Sequence, residues 1–401
     1  MTPVSTSQAT PHPGVWMGAG YGAYFAAVGC FFPYIALYYR HLGLSGPAIG
    51  LLTAIPPLAT ALLAPVWGLV ADRYGLHRRV LRGALILSGV AALGLRAATG
   101  FAPLLIAVVC FALVAAPVLP LLDSFGITIS QRYGLAYGKL RLWGSAGYVV
   151  AASAVGWLMG GTVSDGFLAA YALALLLAVG ATAGLPALHG QQVRRTWSGT
   201  AGLVRRPAMV ILLVTGFLVS VGTSALNTFL GIYLAALGGG AGLIGAANAL
   251  AAVSEIPILL GGATLSRGLG SRRLLILAVV VYIGRLVAVS VIPGPGWVFP
   301  VQLFHGLSFG ANLMASVTLV NQIVGTERAA TGQGLLASAL ALGTITGSVA
   351  GGELLDRIGV VAVFRLAAVV MLLGLGVFLA GRRWMAAAEQ QATRGAQPST
   401  P

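Results

Sequence analysis

The sequence predicts an all-α integral membrane protein, a bundle of twelve transmembrane helices in two pseudo-symmetric six-helix halves. Composition, the spacing of apolar runs and an internal repeat all indicate this fold. Of 401 residues, 58% are hydrophobic and only 8% are charged, and the mean hydropathy is +0.93. Soluble domains carry about 25% charged residues. Charged groups this scarce cannot cover the surface of a soluble globular protein. The bilayer is therefore predicted to be the solvent for most of the chain.

Apolar runs of membrane-spanning length recur along the chain. A transmembrane helix needs about 20 predominantly apolar residues. The predicted spans are 14–39, 46–71, 79–99, 101–122, 142–161, 166–187, 208–237, 241–265, 272–292, 296–322, 331–355 and 360–380. The stretch from Pro207 to Ser254 has no charged side chain and is too long for one crossing, so the glycine run 238–240 is predicted to be a turn.

The remaining segments divide the chain. Residues 14–187 and 208–383 are the predicted halves, and residues 188–207, which carry four arginines, are the predicted cytoplasmic linker. Residues 1–13 are rich in Ser, Thr and Pro, and residues 384–401 are polar. Both terminal segments are predicted to be disordered, because they hold too little apolar surface to bury.

The basic residues predict the orientation. Of the 23 Lys and Arg residues, only Arg40, Arg96, Arg357 and Arg365 fall on one predicted side, and Arg285 falls within a helix. All the others lie on the opposite side. Since Lys and Arg accumulate on the cytoplasmic side, we expect both termini in the cytoplasm and the chain in the plasma (inner) membrane. The same rule accounts for the net charge of +15, so no nucleic-acid partner is expected.

A pattern after the second span recurs after the eighth at one constant offset. The first set is Gly68, Asp72, Arg73, Arg78 and Arg79. The second set is Gly262, Ser266, Arg267, Arg272 and Arg273. Chance similarity between Arg-rich loops is the alternative explanation. A true repeat predicts parallel halves with a binding site at their interface near the membrane midplane.

Ionisable residues inside the second half predict a proton-coupling site. Glu255 lies within the eighth span, Arg285 within the ninth and His305 within the tenth. Ionisable groups in membrane helices are costly and normally face a cavity or a partner. Gln302 and Ser308 share a helix face with His305, since they lie three residues to either side. A purely structural pairing of Glu255 with a neighbouring helix is the alternative.

The first half offers a second polar set. Asp123 is placed at the end of the fourth span, and Arg141 near the start of the fifth is expected to reach it across the gap between the two helices. Tyr148 is either an interfacial aromatic residue or a ring face for substrate. With Glu255, and with Asn227 in the seventh span, these residues are the predicted substrate-binding set; Asp123 is also a proton-coupling candidate.

Two motifs resemble a known family. The loop Gly68-x-x-x-Asp72-Arg73-x-Gly75 resembles the signature of the major facilitator superfamily. Leu76 stands where the general signature has a basic residue, which is similar to the lactose permease branch. The segments 117–125 and 137–145 resemble the phenylpropionate permease group. The resemblance implies a gating role for the loop, which consists of Gly68, Asp72, Arg73, Gly75, Arg78 and Arg79.

The resemblance also implies roles in the first half. Asp123 and Arg141 match the carboxylate–arginine pair that binds sugar in the lactose permease. Tyr148 matches the tryptophan that stacks on the sugar in that permease.

In the second half, Glu255, Arg285 and His305 match the glutamate, arginine and histidine of the substrate and proton site. Two departures accompany this match. Gln302 and Ser308 stand where the permease has a lysine and its coupling glutamate.

The predicted function is secondary active transport, proton-coupled symport of a small organic solute (an aromatic or carboxylic acid, or a sugar) by alternating access. Proton-coupled efflux of amphiphilic drugs or metabolites is the alternative, and a non-transporting membrane sensor is a remote one. The five histidines are scattered and no metal motif occurs, so no enzyme, catalytic residue, metal or cofactor is predicted. The expected partners are the solute, protons and the lipid bilayer, with the protein acting as a monomer.

Overall fold

The computed structural model describes residues 13–186, 200–325 and 328–387, without the side chains of residues 200, 201, 262, 263, 266 and 267. Within these ranges the chain is helical and contains no strand. The first-half helices are α1 (Pro13–Phe31), α2 (Ile35–His41), α3 (Gly46–Tyr74), α4 (His77–Gly94), α5 (Phe101–Ala115), α6 (Val118–Tyr133), α7 (Tyr137–Met159) and α8 (Gly166–Ala181). The helices that follow are α9 (Thr200–Val204), α10 (Pro207–Ala236), α11 (Ala241–Leu269), α12 (Ser271–Val289), α13 (Val298–Gln302), α14 (His305–Val324) and α15 (Ala329–Ala380).

These helices make twelve crossings. Ten stretches are long and apolar enough to span a membrane, and one of them is the whole of α15. At about 1.5 Å per residue, the 52 residues of α15 would extend about 78 Å, more than twice a hydrocarbon core of about 30 Å. The non-helical backbone of Gly359 (φ 79°, ψ 161°) divides α15 into two crossings. The remaining crossing is α12, whose three arginines lower its apolar character.

Three crossings are broken into two helices each. The breaks separate α1 from α2, α5 from α6, and α13 from α14. Pro33 and Pro117 account for the first two, because proline lacks the N–H that a continuous helix needs. The predicted end of the fourth span at residue 122 is wrong, since α6 continues to Tyr133 and Asp123 lies inside it. The fifth span begins at Tyr137, five residues before its predicted start.

The two halves use the same arrangement of neighbours. In the first half α1 packs against α7 and α8, and α4 packs against α5 and α8. In the second half α10 packs against both parts of α15, and α12 packs against α14 and α15. Glycines bring the backbones together in both: Gly147 lies against Gly22, and Gly347 lies against Val221. The pseudo-symmetric pair of halves is therefore confirmed.

The halves pack against each other at one end, here called the sealed end. It consists of the N-terminal part of α3 against α15 and the C-terminal part of α7 against the start of α11. A Cβ added to Gly46 or Gly50 would collide with the backbone carbonyl of Gly352 or Ser348. Close backbone approach of this kind requires glycine.

A carboxylate reinforces the sealed end. Asp356 accepts a hydrogen bond from the Gly46 N–H at 2.5 Å and forms an ion pair with Arg40 at 3.0 Å. At the opposite end, a Cβ added to Gly68, Gly138 or Gly268 would meet no atom within 4 Å. The bundle is therefore closed at one end and open at the other.

Some predicted segments lie partly outside the described residues. Of the predicted N-terminal segment, linker and tail, residues 1–12, 188–199 and 388–401 lie outside the described residues. Within the described part, Pro13 begins α1, residues 200–204 of the linker form α9, and residues 384–387 of the predicted tail are helical. Met385 is buried.

Candidate functional site

A cavity of about 280 Å³ lies between the halves beneath the sealed end. Side chains from α1, α7, α10, α11, α12, α13 and α14 line it. Its aromatic and polar lining consists of Phe25, Phe32, Arg141, Ser145, Tyr148, Thr223, Asn227, Asn248, Glu255, Tyr282, Arg285, Gln302, His305 and Phe309. Such a lining can enclose a small molecule with its aromatic and aliphatic side chains and orient it with its polar groups.

Most of the predicted site residues converge on this cavity. The predicted residues that line it are Arg141, Tyr148, Asn227, Glu255, Arg285 and His305. Asp123 does not line it. Six of the seven residues predicted for substrate binding or proton coupling thus lie together, Asp123 lies elsewhere, and their roles stay predictions.

Glu255 and His305 form a pair at the cavity wall. Nε2 of His305 lies 2.9 Å from Oε1 of Glu255, and each side chain is 19% exposed. The imidazole also stacks on Phe309, with the ring centroids 5.5 Å apart. A carboxylate and an imidazole in contact can exchange and hold a proton. The pair therefore presents a titratable group to the cavity.

The break between α13 and α14 is fastened to α11 beside this pair. The Gly306 N–H, in the first turn of α14, donates to Oγ of Ser254 at 2.8 Å. The Ser254 hydroxyl lies 3.3 Å from the Gln302 carbonyl oxygen. A broken helix in a membrane is tolerated where its free backbone groups find such partners. Ser254 thus holds the break in place next to Glu255.

Arg285 is buried and is held by neutral acceptors. Its guanidinium donates to Oε1 of Gln302 at 2.7 Å, to Oγ of Ser308 at 2.9 Å and to the carbonyl oxygen of Val301 at 3.3 Å. Only 5% of the residue is exposed. Among the described ion pairs none joins Arg285 to Glu255. The positive charge of Arg285 is therefore not neutralised by a bound carboxylate in this part of the chain.

Asp123 lies in a separate tyrosine cluster. Its Oδ1 accepts hydrogen bonds from the hydroxyls of Tyr21 at 2.7 Å and Tyr137 at 3.0 Å. The expectation that Arg141 reaches Asp123 is wrong in this state, since the tyrosine hydroxyls are the partners of Asp123 among the described residues and Arg141 lies on the Phe25 ring. Asp123 lies inside α6, where one tyrosine of α1 and one of α7 hold it.

Arg141 rests on an aromatic face instead. Its guanidinium carbon lies 3.7 Å from the centre of the Phe25 ring and 5.5 Å from that of Tyr21. A guanidinium over a ring face is stabilised by the ring quadrupole without using its N–H donors. Arg141 thus lines the cavity with those donors available for a ligand.

The signature loop lies at the open end. Gly75 ends α3 in the left-handed conformation (φ 63°), which glycine adopts without strain. Asp72 is 47% exposed, and its Oδ1 lies 2.8 Å from Nε2 of the buried His77. Arg73 lies over the Tyr74 ring at 5.9 Å.

Arg78 and Arg79, which follow the loop in the sequence, differ in their contacts. Arg78 donates to the carbonyl oxygen of Leu185 at 3.2 Å, and Arg79 is exposed. A Cβ on Gly68 would meet open space. Among the residues that the structure describes, the loop therefore contacts only its own half, and its gating role stays a prediction. Of the second-half counterparts, the side chains of Gly262, Ser266 and Arg267 lie outside the described residues.

Sequence reasoning missed several cavity residues. Asn248 precedes Glu255 by two helical turns, and Tyr282 precedes Arg285 by three residues, so helical spacing from the charged residues was a usable signal for both. Phe25 and Phe32 carried no such signal, because aromatic residues are common on every face of a membrane helix.

Comparison with known proteins identifies the class. The MFS_1 like family matches residues 15–366. The chain therefore belongs to this family and is a multi-pass membrane transporter of the major facilitator superfamily, not an enzyme.

Two curated relatives are similar over most of their length. The maltose permease of Geobacillus stearothermophilus is 30% identical over 339 residues, covering 84% of this chain and 86% of the permease. The probable 3-phenylpropionic acid transporter of Escherichia coli (strain K12) is 27% identical over 329 residues, covering 78% of this chain and 83% of that protein. The resemblance seen in the motifs is thereby confirmed.

Solved structures share the fold. A mutant of the nucleoside transporter NupG superposes with a TM-score of 0.84 at 18% identity, covering 92% of this chain and 99% of NupG. The peptide transporter POT superposes with a TM-score of 0.76 at 11% identity. At these identities the likeness concerns the fold alone.

Proposed function

We propose that this transporter is a proton-coupled symporter of a small organic solute that works by alternating access. The observation that carries the proposal is the pairing of Glu255 with His305 on the wall of a central cavity. An ionisable pair inside a membrane bundle is energetically costly, so its presence there indicates a function. Here it lies where a solute bound between the halves would contact it.

The mechanism follows from the two ends of the bundle. The solute and a proton enter the cavity from one side, and the halves then rock so that the sealed end parts and the open end closes. A group whose proton occupancy differs between the two states couples the proton gradient to the solute. Glu255 is the proposed carrier, His305 its exchange partner, and Arg285 the fixed charge nearby. Asp123, held by two tyrosines, is the second candidate carrier.

The proposed orientation places both termini in the cytoplasm and the chain in the plasma (inner) membrane. The basic residues support it, since Lys and Arg are concentrated on that side. In this orientation the open end, which carries the signature loop, faces the cytoplasm. The structure would then be the inward-facing state. We further propose that the protein acts as a monomer, because the cavity is completed by one chain.

The names of the relatives suggest two solute classes for this chain, a sugar such as maltose and an aromatic acid such as 3-phenylpropionic acid. The cavity lining supports both, because aromatic rings stack on either and Asn227 and Asn248 offer amide hydrogen bonds.

Uptake into proteoliposomes tests the proposal. The purified protein, reconstituted without other carriers, should accumulate a solute of either class when the outer pH is lower than the inner pH. Adding solute without a gradient should alkalinise the outside. Solute movement that is independent of the pH difference would contradict proton coupling. Accumulation that occurs only when the inner pH is lower than the outer pH would favour the efflux alternative, because solute and protons then move in opposite directions.

A further inference from the structure

We infer, as an extension of the proposed function, that the transported solute is an organic anion and that Gln302 sets this charge preference. Gln302 satisfies the hydrogen-bond donors of Arg285 but leaves its charge in place. The inference comes from the balance of charges around the cavity, which the sequence prediction left open between acids and sugars.

Arg285 contributes a positive charge that no carboxylate of the described residues binds directly. It donates to Gln302, Ser308 and Val301, and all three acceptors are neutral oxygens. A neutral acceptor replaces the hydrogen bonds that water would make but adds no opposite charge. Because electrostatic interactions are stronger in a low-dielectric interior than in water, an anion brought into the cavity is attracted strongly.

Arg141 contributes a second positive charge, from the other half. Its guanidinium lies on the Phe25 ring and has no hydrogen-bond or ion-pair partner among the described residues. The planar fork of a guanidinium matches a carboxylate through two parallel hydrogen bonds. Arg141 is therefore the group that binds the carboxylate directly, while the body of the solute lies against the aromatic wall.

The carboxylates of the described residues do not cancel these charges. Glu255 is the one that lines the cavity, and it is already paired with His305. Asp123 lies outside the cavity and is held by Tyr21 and Tyr137. Two guanidinium groups thus face one carboxylate, and the excess is positive.

This balance also explains how solute and proton bind together. The titratable and charged groups around Glu255 are Tyr148 from α7, Tyr282 and Arg285 from α12, and His305 from α14. A proton added to the Glu255–His305 pair makes the cavity more positive and so favours an anion. By linkage, a bound anion favours the proton equally.

Gln302 is fixed in the orientation that this role needs. Its Nε2 donates to the carbonyl oxygen of Ala247 at 3.2 Å, which directs Oε1 to Arg285. Gln302→Glu keeps the shape of the side chain and places a negative charge 2.7 Å from the guanidinium. The charge of Arg285 is then neutralised, and the cavity loses its preference for anions.

The test measures binding by thermal shift and calorimetry on the full-length protein in nanodiscs. The probes are a panel of aromatic monocarboxylates that includes 3-phenylpropanoate, the amide of each, and maltose. We expect the wild-type protein to bind a carboxylate at least about tenfold more tightly than its amide, a difference of about 1.4 kcal/mol. Gln302→Glu should remove at least that tenfold preference.

Three variants separate charge from structure. Gln302→Met removes both hydrogen bonds without adding charge and should keep the preference. Asn248→Asp adds a carboxylate to the cavity wall at a side chain that bonds to the Ile244 carbonyl and not to Arg285, and it should weaken anion binding less than Gln302→Glu. If Gln302→Glu does not fold, Ser308→Asp neutralises Arg285 from its other nitrogen and should have the same effect.

The inference is overturned if the wild-type protein binds maltose or an amide as tightly as the carboxylates, or binds no carboxylate of the panel. It is also overturned if the variant that neutralises Arg285 keeps the preference, or if Asn248→Asp abolishes it equally. Accumulation of a neutral solute, driven by the pH gradient, would contradict this inference and would leave the proposal of proton-coupled symport standing.

Discussion

Glu255 on α11 and His305 at the first position of α14 lie 2.9 Å apart, directly beside the break that separates α14 from α13. The contact joins a titratable pair to a point where a helix can change direction. Loss or gain of a proton by this pair therefore changes both the charge of the cavity and the attachment of α14 to α11.

Replacing Glu255 by Gln should separate coupling from solute movement. The amide resembles the protonated carboxyl group permanently, so pH-driven accumulation in proteoliposomes should be lost. Counterflow of labelled against unlabelled solute needs no net proton movement and should remain within about threefold of wild type. If the variant still accumulates solute in proportion to the pH difference, Glu255 is not the proton carrier, and Asp123 or His305 has that role.

Replacing Arg141 by Lys should weaken solute binding although the charge is kept. An ammonium group can neither stack flat on Phe25 nor present two parallel donors to a carboxylate, so a loss of at least about tenfold in affinity is expected. Lys139→Gln is the matched control, since that exposed residue begins the same helix outside the cavity. If Arg141→Lys binds the solute with wild-type affinity, Arg141 does not bind the solute.

Asp123→Asn should have a milder effect than Arg141→Lys. Asparagine keeps an oxygen that can accept from Tyr21 and Tyr137, and the residue does not line the cavity. Solute affinity should change by less than about threefold, measured by calorimetry. A loss as large as that of Arg141→Lys would mean that Asp123 joins the site in another state of the cycle.

Gly50→Val should prevent closure of the sealed end. The new Cβ would collide with the Ser348 carbonyl, so the halves cannot approach. A cysteine at position 145, in a background without Cys30 and Cys110, should then react faster with an impermeant maleimide added outside. Gly83→Val is the control, because its Cβ would meet open space. Equal labelling in both variants would contradict the assigned contact.

Asp356→Asn should weaken the same end by a smaller amount. Asparagine can still accept from the Gly46 N–H but loses the charge that pairs with Arg40. Both side chains are partly exposed, so the ion pair should contribute about 1 kcal/mol or less to closure of the sealed end. Its loss should change the ratio of closed to open molecules by up to about fivefold. The rate of maleimide labelling at position 145 measures this ratio, and a variant whose sealed end is mainly open would contradict so small a contribution.

The cavity was largely predictable because membrane burial makes ionisable residues informative. Glu255, Arg285 and His305 stood out in apolar runs, and all three line the cavity. Their cost in hydrocarbon leaves few places for them other than a shared polar space. The same reasoning predicted wrongly that Asp123 lies in the cavity. Its carboxylate instead accepts hydrogen bonds from tyrosine hydroxyls in a separate space between α1, α6 and α7.

The helix breaks were less predictable. The span 296–322 was predicted to be continuous, but it breaks between Gln302 and His305 without a proline at that point. The tertiary contact from Ser254 stabilises the break, and a contact between distant residues leaves no pattern in local hydropathy. Likewise α6 extends past the apolar run into a polar stretch with Arg132, where a hydropathy window ends earlier than the helix.

The glycines that meet at the sealed end bear on how readily it reopens. Gly46 and Gly50 face Gly352 and Ser348 with backbone against backbone, so at these two positions the halves meet through peptide groups. Parting these contacts hydrates carbonyl oxygens, which water solvates well, and adds none of the roughly 25 cal/mol per Å² that newly wetted apolar surface costs. The glycine contacts therefore add little to the work of opening this end, which suits a contact that is made and broken in every transport cycle.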